Sequence, residues 1–200
     1  MEVKVKNGNS GDVMKVDPNG QAHIFAITED EARQATDSGN EYNLNSGIFS
    51  ITGSRDNAAL YLKSDEDTAL VITGVAFWIG TRGATISEHP IVKVIKNPTA
   101  GAIISNASDA DMKSNTNFSS NQTLKTTTLL YKGASGDTFT DGSEHATIGT
   151  GGEGRGFASL NIELKKGASA GMTIDIGTSG AAQVYAAFIG YLKDAGNTPV

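Results

Sequence analysis

"ALYLKSDEDTALVITGVAFWIG", residues 59–80, holds the chain's single tryptophan and its densest apolar run. After the acids the run alternates as a strand does. Val71, Val75, Phe77 and Ile79 share one parity, while Ile72, Ala76 and Trp78 occupy the other. β-Branched residues and Gly74 break any period of 3.6, so the helical reading fails. The doubly apolar pattern returns in "AAQVYAAFIGYLK", residues 181–193. There Val184, Ala186, Phe188 and Leu192 oppose Tyr185, Ala187, Ile189 and Tyr191. Two explanations stand open: a central strand whose outer face is covered by a loop, or an outer face that packs on a neighbouring subunit. On the second, the candidate subunit-contact residues are Trp78, Ala76, Tyr185, Ile189 and Tyr191. The interrupting acids, Asp65, Glu66 and Asp67, read as a solvated connection at 64–68 between two antiparallel strands. Charge there would keep an exposed edge from pairing with strangers.

Working outward, most of the chain reads as short strands separated by Gly, Asn, Asp, Ser and Pro. Strands are expected at 59–63, 69–79, 91–96, 101–105, 123–131, 157–164, 172–176 and 182–192. In "FASLNIEL", Ala158, Leu160, Ile162 and Leu164 oppose Ser159, Asn161 and Glu163, the mark of a strand with one wet face. "MTIDIG" behaves alike. Near the start, "VDPNG" carries type I turn chemistry between two strand-like runs. Thr28 followed by Glu31 makes a capping-box pattern, with Gly39 as its stop, so one short helix or ordered loop is expected at 29–37. The expected fold is an all-β antiparallel sandwich, jelly-roll-like, with at most one short helix. Residues 1–40 form an N-terminal arm with a β-hairpin, and residues 41–200 form the sandwich domain.

Bulk properties narrow the function classes. A net charge of −6 argues against nucleic-acid binding, which leans on Lys and Arg to neutralise phosphates. With no cysteine, thiolate chemistry, disulfides and Cys-based zinc sites are out of reach. "MEVKVKNGNSGD" lacks the apolar core of a signal peptide, and no apolar run reaches the ~18 residues of a membrane span. The expectation is a chain made in a cytosol, with no membrane partner. The sequons at Asn106, Asn117 and Asn121 then read as loop composition.

The motifs that could carry chemistry are weak. "GTGGEG", 149–154, matches G-x-G-x-x-G, yet an alternating strand follows it where a dinucleotide site needs a helix N-terminus. His23, His89 and His145 lie far apart and match no ligand or triad spacing. "DADMKSNTN", 109–117, resembles the start of a calcium loop but lacks the glycine at position six and the closing glutamate. No catalytic, cofactor-binding or metal-binding residue is therefore assigned, and the chain is expected not to be an enzyme.

Several pieces together carry a resemblance: 16–28, "YNLNSG" at 42–47, "LYLKSDEDTALVI" at 60–72, "KNPTAGAIISN" at 96–106, "NFSSNQTL" at 117–124, "YKGASGDT" at 131–138 and the closing "VYAAFIGYLKD". In this the chain resembles small β-rich virion proteins of tailed bacteriophages, over residues 13–194. The resemblance implies a non-enzymatic virion component, a head decoration (cement) or vertex protein that binds the capsid as a homo-oligomer. Its partners would be the major capsid protein or other virion proteins and further copies of itself, with a trimer the favoured count by analogy. Its location would be the virion, after synthesis in the host cytoplasm. The polar N-terminal arm is the segment expected to reach a neighbour. No catalytic or ligand residue comes with the resemblance. The alternative is a carbohydrate- or receptor-binding β-sandwich of the fibre or adhesin type, which requires exposed aromatics on one face.

Overall fold

The computed structural model describes residues 31–53, 56–81, 90–108, 112–149, 154–177 and 180–193, all within the unit Glu31–Val200. The expected arm hairpin lies outside the described residues. Where the sequence alternates, strands form. In chain order the elements are α1 (Glu31–Ser38), β1 (Glu41–Asn45), β2 (Phe49–Thr52), β3 (Asn57–Lys63), β4 (Leu70–Thr81), β5 (Ile91–Lys96) and α2 (Ala102–Asn106). There follow β6 (Met112–Asn115), β7 (Leu129–Lys132), β8 (Ser143–Gly149), β9 (Gly154–Leu164), β10 (Ser169–Asp175) and β11 (Ala181–Leu192).

Two antiparallel sheets result. The first runs β6-β1-β11-β4-β9, with β2 also on β11, and the second runs β7-β3-β10-β5-β8. The logic of this order appears when the eight long-range strands are taken alone. β1 pairs β11, β3 pairs β10, β4 pairs β9 and β5 pairs β8. That is one long antiparallel ribbon folded at the β5–β8 connection. Rolling it up adds the pairs β11·β4 and β10·β5 and splits it into two facing sheets. This is the jelly roll expected from the sequence. Of the three remaining strands, β2 adds to β11, and β6 and β7 lie in the long β5–β8 connection and extend one edge of each sheet.

Between the sheets sits a continuous apolar core that includes Leu44, Leu60, Leu62, Ile72, Phe77, Val94, Met172, Ile174 and Phe188. β9 contributes its inward parity, Ala158, Leu160, Ile162 and Leu164, as its alternation requires. In β4 the strand is as expected, but its facing changes part-way. The β4·β11 register shifts between Ile189 and Gly190, leaving Thr73 as the extra residue on β4. A bulge of this kind inverts the period-two phase. Leu70 and Ile72 therefore join Val75, Phe77 and Ile79 in the core, whereas Val71 turns outward.

Three other expectations are corrected. Residues 101–105, read as a strand from their isoleucines, belong to the helical turn α2, which ends at Ala107 with a left-handed φ of 43°. A second short helix therefore joins the one expected. Ile103 there plugs an apolar cluster with Ala58 and Tyr61, and this tertiary contact overrides β propensity. His145 lies in β8, a strand absent from those expected, which pairs β5. Finally, β3 and β4 are not a hairpin, since they lie in opposite sheets. The acidic segment is an arch across the sandwich. It is tied to the β9–β10 arch by Ser64 N–H donating to Ala168 (3.0 Å) and Gly167 N–H donating to Ser64 (2.7 Å).

Helix α1 stops where the sequence says it should. Gly39 adopts φ +76°, its N–H donates to Thr36 O, and Asn40 N–H donates to Ala35 O. That pair of bonds is a Schellman ending, which favours glycine at this position.

Candidate interaction face on the first sheet

The outer face of the first sheet is built by register. Opposite residues on neighbouring strands share a face, so three cross-strand rows can be read directly. Tyr185, Trp78 and Arg155 form one row; Ala187, Ala76 and Phe157 the next; Ile189, Gly74 and Ser159 the third. The middle row is small at two of its three positions, so the rings stand around a low centre. The Phe157 ring lies against Gly74, where an added Cβ would come within 2.6 Å of it, and the Trp78 ring covers Gly80 in the same way at 2.2 Å. The result is a shallow depression of about 450 Å³ lined by Ala76, Trp78, Arg155, Phe157 and Tyr185. Phe157, on the edge strand β9, is 60% exposed, a large apolar side chain left open to solvent.

Of the five contact candidates, Trp78, Ala76, Tyr185 and Ile189 are half-buried on this face. Tyr191 is a correction. It is 8% exposed and packs with Val71 against Ala35 of α1, so this end of the face is covered by the chain itself. Phe157 and Arg155 were missed. The available signal was parity, because Phe157 shares the polar parity of Ser159, Asn161 and Glu163. That they stand beside Trp78 and Ala76, some 80 residues away, comes only from the β4·β9 register.

The acids at 65–67 do more than solvate a turn. Glu66 is only 5% exposed, and its carboxylate accepts hydrogen bonds from Lys125 N–H (2.8 Å) and the Thr128 hydroxyl (2.6 Å). Burial, and after it the nearby Glu66, pushes the Tyr42 hydroxyl above its ordinary pKa. Asp67 pairs with Lys125 at 2.6 Å and Lys166 at 3.2 Å, and these two lysines hold its carboxyl below the ordinary range. The acidic arch is thus an anchor for the 124–128 segment and the β9–β10 arch.

Among the described residues no group of three or more His, Cys, Asp or Glu is placed to hold a metal ion. His145 is exposed and lines an opening of about 350 Å³ between the sheets, beside Asn161, Glu163 and Lys96. The expected glycine loop is flanked by β8, ending at Gly149, and β9, starting at Gly154. In the weak calcium motif, Asn115 and Asn117 instead secure the end of α1, Asn117 donating to Thr36 O at 3.1 Å and Asn115 to Gly39 O. His23, His89, Asp109 and Asp111 lie outside the described residues. No described helix is long and apolar enough to cross a membrane.

No family model matches the chain, and no curated protein matches it in sequence. Among solved structures it is similar to one of infectious bursal disease virus, Gx strain, at 10% identity and a TM-score of 0.19. That match covers 76% of this chain and 41% of the other. The VP2 subviral particle of the same virus gives 9% identity, the same coverage and the same TM-score. The chain thus spans 41% of the length of these viral chains. A superposition this poor carries no weight for function.

Proposed function

We propose that this chain is a non-enzymatic structural component of a bacteriophage virion, a head decoration or vertex protein that attaches to the capsid and to copies of itself. The observation that carries this reading is the aromatic face. Trp78, Phe157, Tyr185 and Ala76 form an apolar patch across β11, β4 and the edge strand β9, beyond the reach of α1. Apolar aromatic patches edged by an arginine are what protein–protein contacts use as anchors. The sequence resemblance to small β-rich phage virion proteins supports the setting. The mechanism is adhesion, in which many copies on one shell add avidity to modest individual contacts.

The experiment is co-sedimentation of the purified chain with undecorated capsid shells, alongside mass spectrometry and electron microscopy of the particles. Trp78→Asp or Phe157→Asp should abolish attachment while leaving the melting transition in place. A chain that is absent from particles and ignores shells would overturn the reading.

A second reading has a specific observation in its favour. Three rings around a shallow depression, two lying flat along the sheet, also suit a sugar ring stacked on an aromatic surface. Glycan-array binding lost on Trp78→Ala, with folding intact, would favour a carbohydrate- or receptor-binding module instead.

A further inference from the structure

The two sheets end in edge strands of very different character. β6, β2 and β7 have four residues each, and β6 and β7 carry Lys113 and Lys132. β8 has seven residues and carries Glu144. Short length and charge are the ordinary ways to blunt an edge against unwanted pairing. β9 is the long edge: it has 11 residues, ends the first sheet and holds no proline, and its two charges, Arg155 and Glu163, are of opposite sign. Its exposure alternates without a break from Arg155 to Glu163, although its register with β4 shifts between Ser159 and Ile162. Leu160 and Ile162, on its inward parity, are only partly buried by their own core.

The side chains on this edge are self-complementary about Ser159. If a second β9 is laid antiparallel with the two Ser159 residues opposite each other, Arg155 faces the second copy's Glu163, and the reverse pair repeats the contact. Phe157 then faces Asn161. On the inward parity Ala158 faces Leu160 and Gly156 faces Ile162, each a small residue opposite a large one. No other antiparallel register aligns Arg155 with Glu163. Among the described residues Glu163 has one ion-pair partner, Lys193 at 3.9 Å, with both side chains about half exposed, and a long exposed pair of this kind holds the carboxylate weakly. Among the described residues Arg155 has no carboxylate partner.

We infer that β9 is a self-association edge. Two copies join through antiparallel β9 strands about a two-fold axis at Ser159, merging their first sheets into one continuous sheet. This rests on the self-association part of the proposed function and not on attachment to a capsid. The occupant is a second copy because the charge pattern matches its own reverse, as a two-fold contact requires. Cross-strand charge pairs in register then select the alignment. The merged sheet sets the two aromatic depressions side by side on one surface.

The test uses the full chain. Native mass spectrometry and sedimentation at tens of micromolar should give a dimer. Arg155→Glu or Glu163→Arg alone should weaken dimerisation by about tenfold or more, since each places two like-charge pairs in the ladder. The double reversal should restore it to within about threefold of the unaltered chain, because complementarity is regained. The chain has no cysteine, so Ser159→Cys should form a single disulfide-linked dimer on mild oxidation, whereas Ser143→Cys on β8 should not. Melting curves confirm that each variant is folded. A monomer at these concentrations overturns both this inference and self-association through the aromatic face. A trimer overturns the two-fold edge contact but leaves self-association standing. So does a dimer that ignores both single reversals, fails to cross-link through Ser159→Cys and is dissolved by Trp78→Asp.

Discussion

The outer faces of the two sheets pose the same problem and solve it differently. Both have apolar side chains where a sandwich usually meets water. On the second sheet the chain closes the face itself. Tyr61 of β3 stacks on Tyr131 with ring centroids 5.8 Å apart, Phe139 lies 6.2 Å from it, and Ile103 of α2 is fully buried among them. The Phe139 ring also covers Gly171 of β10, where an added Cβ would come within 2.5 Å. All these covering groups come from the long β5–β8 connection. On the first sheet the only described cover is α1, which reaches Val71 and Tyr191 and leaves Trp78, Phe157 and Tyr185 beyond it. A doubly apolar strand therefore does not say whether its cover is internal or external.

The largest difference expected between the faces concerns two glycines. A Cβ on Gly133 would sit 1.7 Å from the backbone oxygen of Ala58, in a buried contact where Gly133 N–H also donates to Ala59 O at 3.1 Å. Backbone cannot yield cheaply, so Gly133→Ala should cost more than about 4 kcal/mol or prevent folding. A Cβ on Gly80 would also come too close, 2.2 Å, but to the ring of Trp78 on the open face. That ring can swing outward, and Gly80→Ala should cost under about 1 kcal/mol. Urea melts of both variants decide the matter. Equal losses would mean that the first face is as closed as the second.

Next in size is the contrast between two apolar truncations. Ile103→Ala empties a fully buried site and should cost about 2–4 kcal/mol. Phe157→Ala removes a ring that is 60% exposed and should cost about 1 kcal/mol or less in the isolated chain. Its effect should appear in attachment to shells instead. If Phe157→Ala destabilised the isolated chain as much as Ile103→Ala, the ring would be part of a core and not of a contact face.

How much of this was legible in the sequence follows the same division. β5 and β9 were readable because strict alternation records one buried parity. β8 was not, because an edge strand such as "SEHATIG" faces the core with little more than Ala146 and Ile148. The phase change at Thr73 was invisible, since a bulge leaves composition unchanged and moves only facing. α2 misled through its two isoleucines, which serve a cluster on the outside of a sheet. For the candidate face, Trp78, Ala76 and Tyr185 were legible as residues needing a cover. Tyr191 was misassigned because its cover is a helix with only Ala35 to show for an apolar face. Phe157 and Arg155 reach the face through pairing, which no local pattern reports. Glu66 looked like one solvated acid among three. Its burial depends on the sandwich crossing at that arch, with Thr128 waiting on the far side.

The smallest expected effect lies at this arch, on the rim where the two sheets meet. Asp67 is drawn below its ordinary pKa first by hydrogen bonds from Lys125 and Lys166, then by their charges. A carboxylate depressed in the folded state adds stability that is present above its unfolded value, about 4, and is lost as pH falls through the lower folded value. Asp67→Asn removes this contribution at neutral pH and has none to lose in acid. Its melting temperature should therefore lie slightly below that of the unaltered chain at about pH 6, and the two should converge as pH falls below about 4. Because the pairs are exposed, about 1 M salt should shrink the neutral-pH difference as well. Glu66→Gln provides the sharper half of the comparison. Its carboxylate is buried against neutral donors, so its loss should exceed that of Asp67→Asn and should resist salt, as buried hydrogen bonds to a charged group do. Two neighbouring acids that respond alike to salt would mean that Glu66 is as solvated as Asp67, and that the arch is only a turn.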